Sequence, residues 1–501
     1  MTDLNNIKSL YFIGAGGIGM SNLVRYFLSK GKNVAGYDRV ESALTAQLNI
    51  EGAQIHYEDD VNLIPEIYKN RENTLVVLTP AVPDTHSELN YFKNSNFEIM
   101  KRAQLLGEIT KNSRAICVAG THGKTTTSSM IAHLLKQSHV DCNAFLGGIL
   151  KNYNSNLLLS EKSDLTIIEA DEYDRSFHWL SPCMAVITSA DPDHLDIYGT
   201  ETAYRESFEH FTSLIQENGV LLMKEGVNVT PRLKENVKLY HYSGDSARRS
   251  LRLRRVENKA PLCENASQRL AFSNDVVRDY AEREGYAEQG GFRVKNIRIA
   301  NGEIFFDFVT PTETIKDVQL GVPVRINIEN AMAAMAIAWL NCVTADELKA
   351  GTKSFKGAKR RFDFHLKTDK IVLIDDYAHH PEELAASISS VKELYPDRKL
   401  TTIFQPHLYS RTKDFYNEFA KSLSLSDETI LLDIYPAREE PIEGVTSQLI
   451  LNNMPEMEKK VCNKTELLEI IKKGKYEVIL MAGAGDIELL VEPVKQILKN
   501  D

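Results

Sequence analysis

The chain has 501 residues, too many for one hydrophobic core, so about two to four domains are expected. With 43% hydrophobic and 26% charged residues it has the balance of a soluble globular protein, which excludes extensive disorder. A net charge of −10 excludes a broad basic surface for nucleic acid. No apolar run approaches the roughly 20 residues that span a bilayer, so no membrane segment is expected.

In chain order, Ser9-Leu-Tyr-Phe-Ile-Gly14 is an apolar run closed by glycine. A helical pattern follows from Met20 to Ser29, then a second strand from Asn33 to Tyr37. Strand, tight turn, helix and strand predict a βαβ unit of a parallel sheet. Another strand is predicted from Thr74 to Thr79, before the turn Pro80-Ala-Val-Pro83. The first turn, Gly14-Ala15-Gly16-Gly17-Ile18-Gly19, satisfies G-x-G-x-x-G, and Asp38 lies 19 residues beyond Gly19. That is the fingerprint of an NAD site with Asp38 on a ribose hydroxyl. The motif detects a diphosphate at a helix N-terminus, however, and a UDP-sugar carries the same group.

A second segment opens near Ser113 with a strand from Arg114 to Ala119, a loop from Gly120 to Lys124 and a helix from Thr125 to Gln137. The loop reads Gly120-Thr121-His122-Gly123-Lys124-Thr125-Thr126-Thr127. Glycines let backbone N–H groups wrap a polyphosphate, Lys124 adds charge near the β- and γ-phosphates, and the Thr125 hydroxyl can ligate Mg²⁺. Only two residues separate Gly120 from Gly123, against four in the common P-loop. Lys124 is expected in a solvent-facing loop, so that its loss leaves the fold intact. Two more strands are predicted, Asp164 to Ile168 and Met184 to Ser189. The first leads into Glu169-Ala-Asp171-Glu172-Tyr-Asp174, where Glu169 is a candidate metal ligand; the second leads into Asp191-Pro-Asp193-His194, where His194 is another.

From about Asp245 to Asn296 the pattern breaks, and Arg248, Arg249, Arg252, Arg254 and Arg255 cluster there; a solvated insertion is the simplest reading. The third segment begins near Ala358, with strands expected at Ile371 to Ile374, Leu400 to Phe404, Thr429 to Asp433 and Tyr476 to Met481. Asp375-Asp376-Tyr377-Ala-His379-His380, Gln405-Pro-His407-Leu-Tyr-Ser-Arg411 and Gly483-Ala-Gly485-Asp486 each fall at a strand's carboxyl end, and Lys359-Arg360-Arg361 precedes them. Six scattered cysteines without a C-x-x-C pair predict buried free thiols in a reducing compartment. The N-terminus lacks the layout of a signal peptide, which makes the cytoplasm the expected location.

Taken in order, GAGGIGM, RAQLLGEI, GTHGKTTT, EADEYDRSF, DPDHLDIYG, RRFDF, DDYAHHP and FQPHLYSRT resemble the Mur ligase family, within it the alanine-adding branch. The resemblance implies an α/β fold of three domains. These are a UDP-binding Rossmann-like domain (1–112), a central P-loop ATPase domain (113–357) and a C-terminal Rossmann-like ligase domain (358–501). It implies ATP-dependent amide-bond formation through an acyl phosphate, with ATP, UDP-N-acetylmuramate and L-alanine as small-molecule substrates and Mg²⁺ as cofactor, in a monomer or dimer. By motif, Gly14, Ala15, Gly16, Gly17, Ile18, Gly19 and Met20 would cradle the UDP diphosphate, with Asp38 and Thr79 beside them. Gly120 to Thr126 would bind ATP; Thr125, Glu169 and His194 would hold metal. Asn327 and Asn330 would meet adenine, and Arg361, Tyr377, His379 and Arg411 would serve ATP and the amino acid. Lys124, His379 and Arg411 would be catalytic, His379 as the base for the alanine ammonium. Family members often have histidine at Ile326 and asparagine at Ser189. Sister ligases hold a second Mg²⁺ with a carbamylated lysine, but no lysine occurs between Lys162 and Lys224. The alternatives are a tripeptide-recycling ligase of the same family, an NAD-dependent dehydrogenase and a nucleotide-binding regulator without chemistry.

Overall fold

Every residue of the first strand, β1 (Ser9–Ile13), is buried, and its two faces feed different cores. Leu10 and Phe12 pack with Val24, Phe27, Leu105 and Ile109, whereas Tyr11 and Ile13 pack with Val76, Leu89 and Phe92. A parallel sheet covered on both sides needs such double burial, hence the continuous apolar run. The structure, a computed structural model, describes residues 4, 6–79, 81–193, 195–243, 291–300, 302–437 and 439–499. It divides into two compact units: Met1–Arg293 with Phe308–Ile315 and Asn330–Gly351, and Val294–Asp307 with Lys316–Glu329 and Thr352–Asp501.

In the first unit β1 is the centre of a parallel sheet with β2 (Asn33–Tyr37), β3 (Gln54–His56), β4 (Thr74–Leu78) and β5 (Glu98–Lys101), ordered β3-β2-β1-β4-β5. The order reverses between β1 and β4, and open α/β sheets bind ligands beyond the carboxyl ends at such a reversal. The next sheet comprises β6 (Arg114–Ala119), β7 (Asn143–Leu150), β8 (Ser155–Leu158), β9 (Leu165–Glu169), β10 (Met184–Ile187), β11 (Val220–Lys224), β12 (Lys238–Ser243), β13 (Phe292–Ala300), β14 (Glu303–Val309) and β15 (Thr314–Gln319). Its order is β15-β14-β13-β12-β11-β10-β6-β9-β7-β8, and β6 runs parallel to both β9 and β10. The loops after these three strands therefore share one edge. The cluster holding Leu10 and Phe12 continues through Leu105 to Ala115, Phe145, Ile168 and Phe177, so the first two sheets share a core.

The second unit carries β16 (Asp363–Lys367), β17 (Val372–Asp376), β18 (Leu400–Phe404), β19 (Glu428–Leu431), β20 (Glu458–Val461) and β21 (Val478–Ala482), ordered β16-β17-β21-β18-β19-β20. Only the edge pair β16–β17 is antiparallel. Leu373, Ile403, Ile430, Ile479, Leu467 and Val494 form its core.

Two sequence expectations change. The polar insertion expected up to Asn296 gives way to strand from Phe292; residues 244–290, with the arginine cluster, lie outside the described residues. The short strands β3, β5, β16 and β20 were not anticipated, because three to five residues at a sheet edge carry too little apolar pattern. Five cysteines are described and all are free; Cys263 lies outside the described residues. Among the described residues no helix is long and apolar enough to cross a membrane.

Candidate active site

The loop after β1 packs against the end of β4. A Cβ on Gly14 would stand 2.4 Å from Thr79 Cγ2, so Thr79 lies against the glycine turn. The Gly14 and Ala15 N–H groups donate to Tyr37 O (2.8 and 3.0 Å) and serve the sheet. Ala15 and Met20 are buried, so their side chains belong to the core. The Gly17, Ile18 and Gly19 N–H groups open the helix Ile18–Ser29 and take no backbone partner among the described residues, the arrangement that receives a diphosphate. Asp38 Oδ2 accepts from Gly16 N–H (2.6 Å) and Oδ1 from Val40 N–H (3.2 Å). It pins the loop through its carboxylate, a different task from the ribose contact that the dinucleotide fingerprint implies.

The second loop joins β6 to the helix Lys124–Lys136. Gly120 (φ +144°) and Gly123 (φ +82°) adopt backbone that other residues rarely take, and a Cβ on Gly120 would meet Thr188 Oγ1 at 2.1 Å. Thr188 Oγ1 donates to His122 O, and Ser189 Oγ accepts His122 N–H at 2.8 Å. Ser189 thus orders the loop where the family often has asparagine. Thr121 Oγ1 donates to Asp191 O (2.7 Å). Asn330 accepts from Thr127 Oγ1 (3.2 Å), and a Cβ on Gly123 would come 2.8 Å from its Oδ1, which puts Asn330 against the loop. The Asn327 amide donates to Val322 O at 3.2 Å. A cavity of about 410 Å³ at the ends of β10 and β11 is lined by Thr188, Ser189, Asp191, Arg205 and Lys224 among others.

Lys124 is not in open solvent. Its Nζ donates to Gly120 O and to Glu172 Oε1, each at 2.7 Å, with side-chain exposures of 15% for Lys124 and 2% for Glu172. Burial pushes the Glu172 carboxyl above its ordinary range although Lys124 pulls it down. The expectation of a solvent-facing lysine is corrected: it is half of a part-buried ion pair whose carboxylate is buried. The four carboxylates after β9 also do not form one cluster. Asp171 pairs with Arg102 (3.2 Å), Asp174 with Lys101 (3.2 Å) and Glu172 with Lys124. Glu169 alone turns to the threonine, accepting from Thr125 Oγ1 (2.9 Å) and from Gly147 N–H (3.1 Å). A Cβ on Gly147 would lie 2.4 Å from both Glu169 oxygens, so the glycine makes room for this carboxylate. Hydroxyl and carboxylate oxygens side by side suit Mg²⁺, which draws few ligands from protein. No group of three or more His, Cys, Asp or Glu side chains placed to hold a metal ion occurs among the described residues; His194 lies outside them. Glu172 and Arg102 stood in noticed motifs and Lys101 just before one, but nothing in the sequence paired them with their partners.

In the second unit Arg361, Tyr377, His379 and Arg411 come together. The Arg360 and Arg361 guanidinium carbons lie 4.9 and 5.3 Å from the Tyr377 ring centre. Tyr377 O lies 2.9 Å from His379 Nδ1, and Glu383 Oε2 accepts the His379 N–H at 3.1 Å. Burial holds the His379 imidazole below its ordinary value; Glu383 opposes this, while Arg411 and Arg361 add to it. Glu383, four residues beyond His379 on a helix start, was missed despite helical spacing. Arg360 bonds Gly483 O and pairs with Glu488 (3.0 Å), tying β21 to the turn before β16.

A glycine loop at each of two parallel-sheet edges, the second with a lysine and an oxygen-ligand pair, defines a nucleotide-dependent phosphoryl-handling enzyme. The chain belongs to the Mur ligase family. The family's catalytic domain matches residues 9–114, its middle domain residues 118–264, and its glutamate ligase domain residues 360–490. The UDP-N-acetylmuramate–L-alanine ligase of Parabacteroides distasonis is 62% identical over 99% of this chain and 98% of its own. That of Porphyromonas gingivalis is 53% identical over 99% of this chain and 100% of its own. The fold is similar to UDP-N-acetylmuramate–alanine ligase from Thermotoga maritima (TM-score 0.74, 24% identity, 98% of each chain).

Proposed function

We propose that this chain uses ATP to join L-alanine to UDP-N-acetylmuramate, yielding UDP-N-acetylmuramoyl-L-alanine, ADP and phosphate. The observation that carries the reading is the set Lys124, Thr125 and Glu169 at one sheet edge, in a chain that alanine-adding relatives match from end to end. In the sequence division 1–112, 113–357 and 358–501, the first segment binds the UDP moiety through Gly17 to Gly19. The second binds ATP through Gly120 to Thr126, with Asn327 and Asn330 on adenine. The third supplies Arg361, Tyr377, His379 and Arg411 to ATP and the amino acid.

A carboxylate does not acylate an amine at neutral pH, because oxide is a hopeless leaving group. The muramyl carboxylate therefore attacks the γ-phosphate, and the alanine amine displaces phosphate from the resulting acyl phosphate. Lys124 exchanges Glu172 for the transferring phosphoryl group, and a cation held at that developing charge lowers the barrier. Thr125, Glu169 and His194 would hold Mg²⁺, which when bound offsets the repulsion between the carboxylate and the phosphates. His379, kept neutral by burial, accepts the proton of the alanine ammonium. The test is phosphate release from ATP with UDP-N-acetylmuramate plus L-alanine, a tripeptide or neither, with nicotinamide absorbance as control. Release that needs the tripeptide, or hydride transfer, refutes the reading.

A further inference from the structure

The helix Arg102–Lys111 begins where β5 ends, and its first residue faces two loops at once. A Cβ on Gly19 would lie 2.6 Å from Arg102 Nη1 and 3.2 Å from Cζ, so the guanidinium rests on the start of the helix Ile18–Ser29. Its Nη2 donates to Asp171 Oδ2 at 3.2 Å, with side-chain exposures of 22% and 40%. Asp171 Oδ1 meanwhile accepts the Tyr173 N–H (3.1 Å). The helix cannot drift: a Cβ on Gly107 would stand 2.4 Å from Trp179 O, which locks it against the segment after Asp171.

A guanidinium fixed beside the open N–H groups of a helix start is placed to grip a diphosphate with two parallel hydrogen bonds. An ion pair open to solvent on one side is weak and exchanges readily. We infer that Arg102 binds the diphosphate of the sugar nucleotide and that Asp171 is the anion it gives up to do so. The inference rests on the UDP-sugar assignment of the first glycine loop.

The experiment is calorimetric titration of the full chain with UDP, UDP-N-acetylglucosamine, which lacks the lactyl carboxylate, and UDP-N-acetylmuramate. Arg102→Ala weakens all three by a similar factor of ten or more, and Arg102→Lys by less. Asp171→Asn tightens all three about threefold, and the gain vanishes in the double variant. A gain in affinity cannot come from misfolding, so this arm stands even if Arg102→Ala folds poorly. Loss confined to UDP-N-acetylmuramate assigns Arg102 to the carboxylate and overturns the inference, as does unchanged affinity in Arg102→Ala or no gain in Asp171→Asn. If the parent chain itself ignores UDP, the functional reading falls first; if it binds UDP and the variants bind equally well, only this inference falls.

Discussion

Replacing Lys124 with alanine tests chemistry and stability together. The substitution leaves the Glu172 carboxylate, 2% exposed, without the ammonium that Lys124 Nζ holds 2.7 Å away. Removing one partner of a buried pair costs about 3 kcal/mol or more, because the remaining charge stays desolvated. Glu172 escapes by taking a proton, and its folded pKa, already raised, then lies further above the unfolded value. Stability of such a group is complete below the unfolded pKa and falls as pH rises through the folded one. The deficit of Lys124→Ala is therefore about 3 kcal/mol at pH 8 and about 1 kcal/mol or less at pH 5, at about 1.4 kcal/mol per pH unit. Glu172→Gln added to Lys124→Ala restores most of the pH 8 stability but none of the activity. Activity falls roughly 10²-fold or more, the usual effect of removing a donor from developing phosphoryl charge. Urea unfolding at both pH values and phosphate release from ATP read the two effects. A pH-independent deficit, or a double variant no more stable than the single one, refutes the burial argument; near-normal turnover in a folded variant refutes the phosphate contact.

Glu169→Gln keeps shape but loses charge, so positional isotope exchange in ATP with alanine omitted falls at least tenfold and recovers partly at high Mg²⁺; exchange at the parent rate removes Glu169 from the metal site. Glu383→Gln takes away the carboxylate that favours protonated His379, so the acid limb of kcat/KM moves to lower pH. A limb that stays in place excludes His379 as the base. Titrated into the whole chain, UDP binds and NAD does not; the intact chain is needed because the first two sheets share one apolar core. Tight NAD binding without a response to UDP sinks the diphosphate-sugar assignment.

Several interior strands were legible because burial on both faces forces continuous apolar runs, although the equally buried β11 was not anticipated. β2, β6 and β18 fall at the predicted residues. The edge strands and the hairpin β7–β8 were not, since short or half-exposed segments impose little pattern. Both glycine loops were read correctly as turns, for glycine signals backbone that other residues avoid. Their partners were invisible: Asp38 turned to Gly16, and Ser189 to His122, through contacts that bridge 22 and 67 residues. Sequence spacing can report neighbours along one helix or strand, but not the pairing of separate loops.

The acidic run after β9 shows why that distinction matters for chemistry. By composition Glu169, Asp171, Glu172 and Asp174 are interchangeable metal candidates. Three of them meet cations: Arg102 and Lys101 arrive from the end of β5, and Lys124 from the loop after β6. Glu169 accepts from the Thr125 hydroxyl and from the Gly147 N–H. Mg²⁺ prefers hard oxygen ligands, and a carboxylate beside a hydroxyl offers two of them. Of the four, Glu169 is the one beside the Thr125 hydroxyl, the geometry behind its proposal as a metal ligand. Asp171, Glu172 and Asp174 are instead held in ion pairs with Arg102, Lys124 and Lys101.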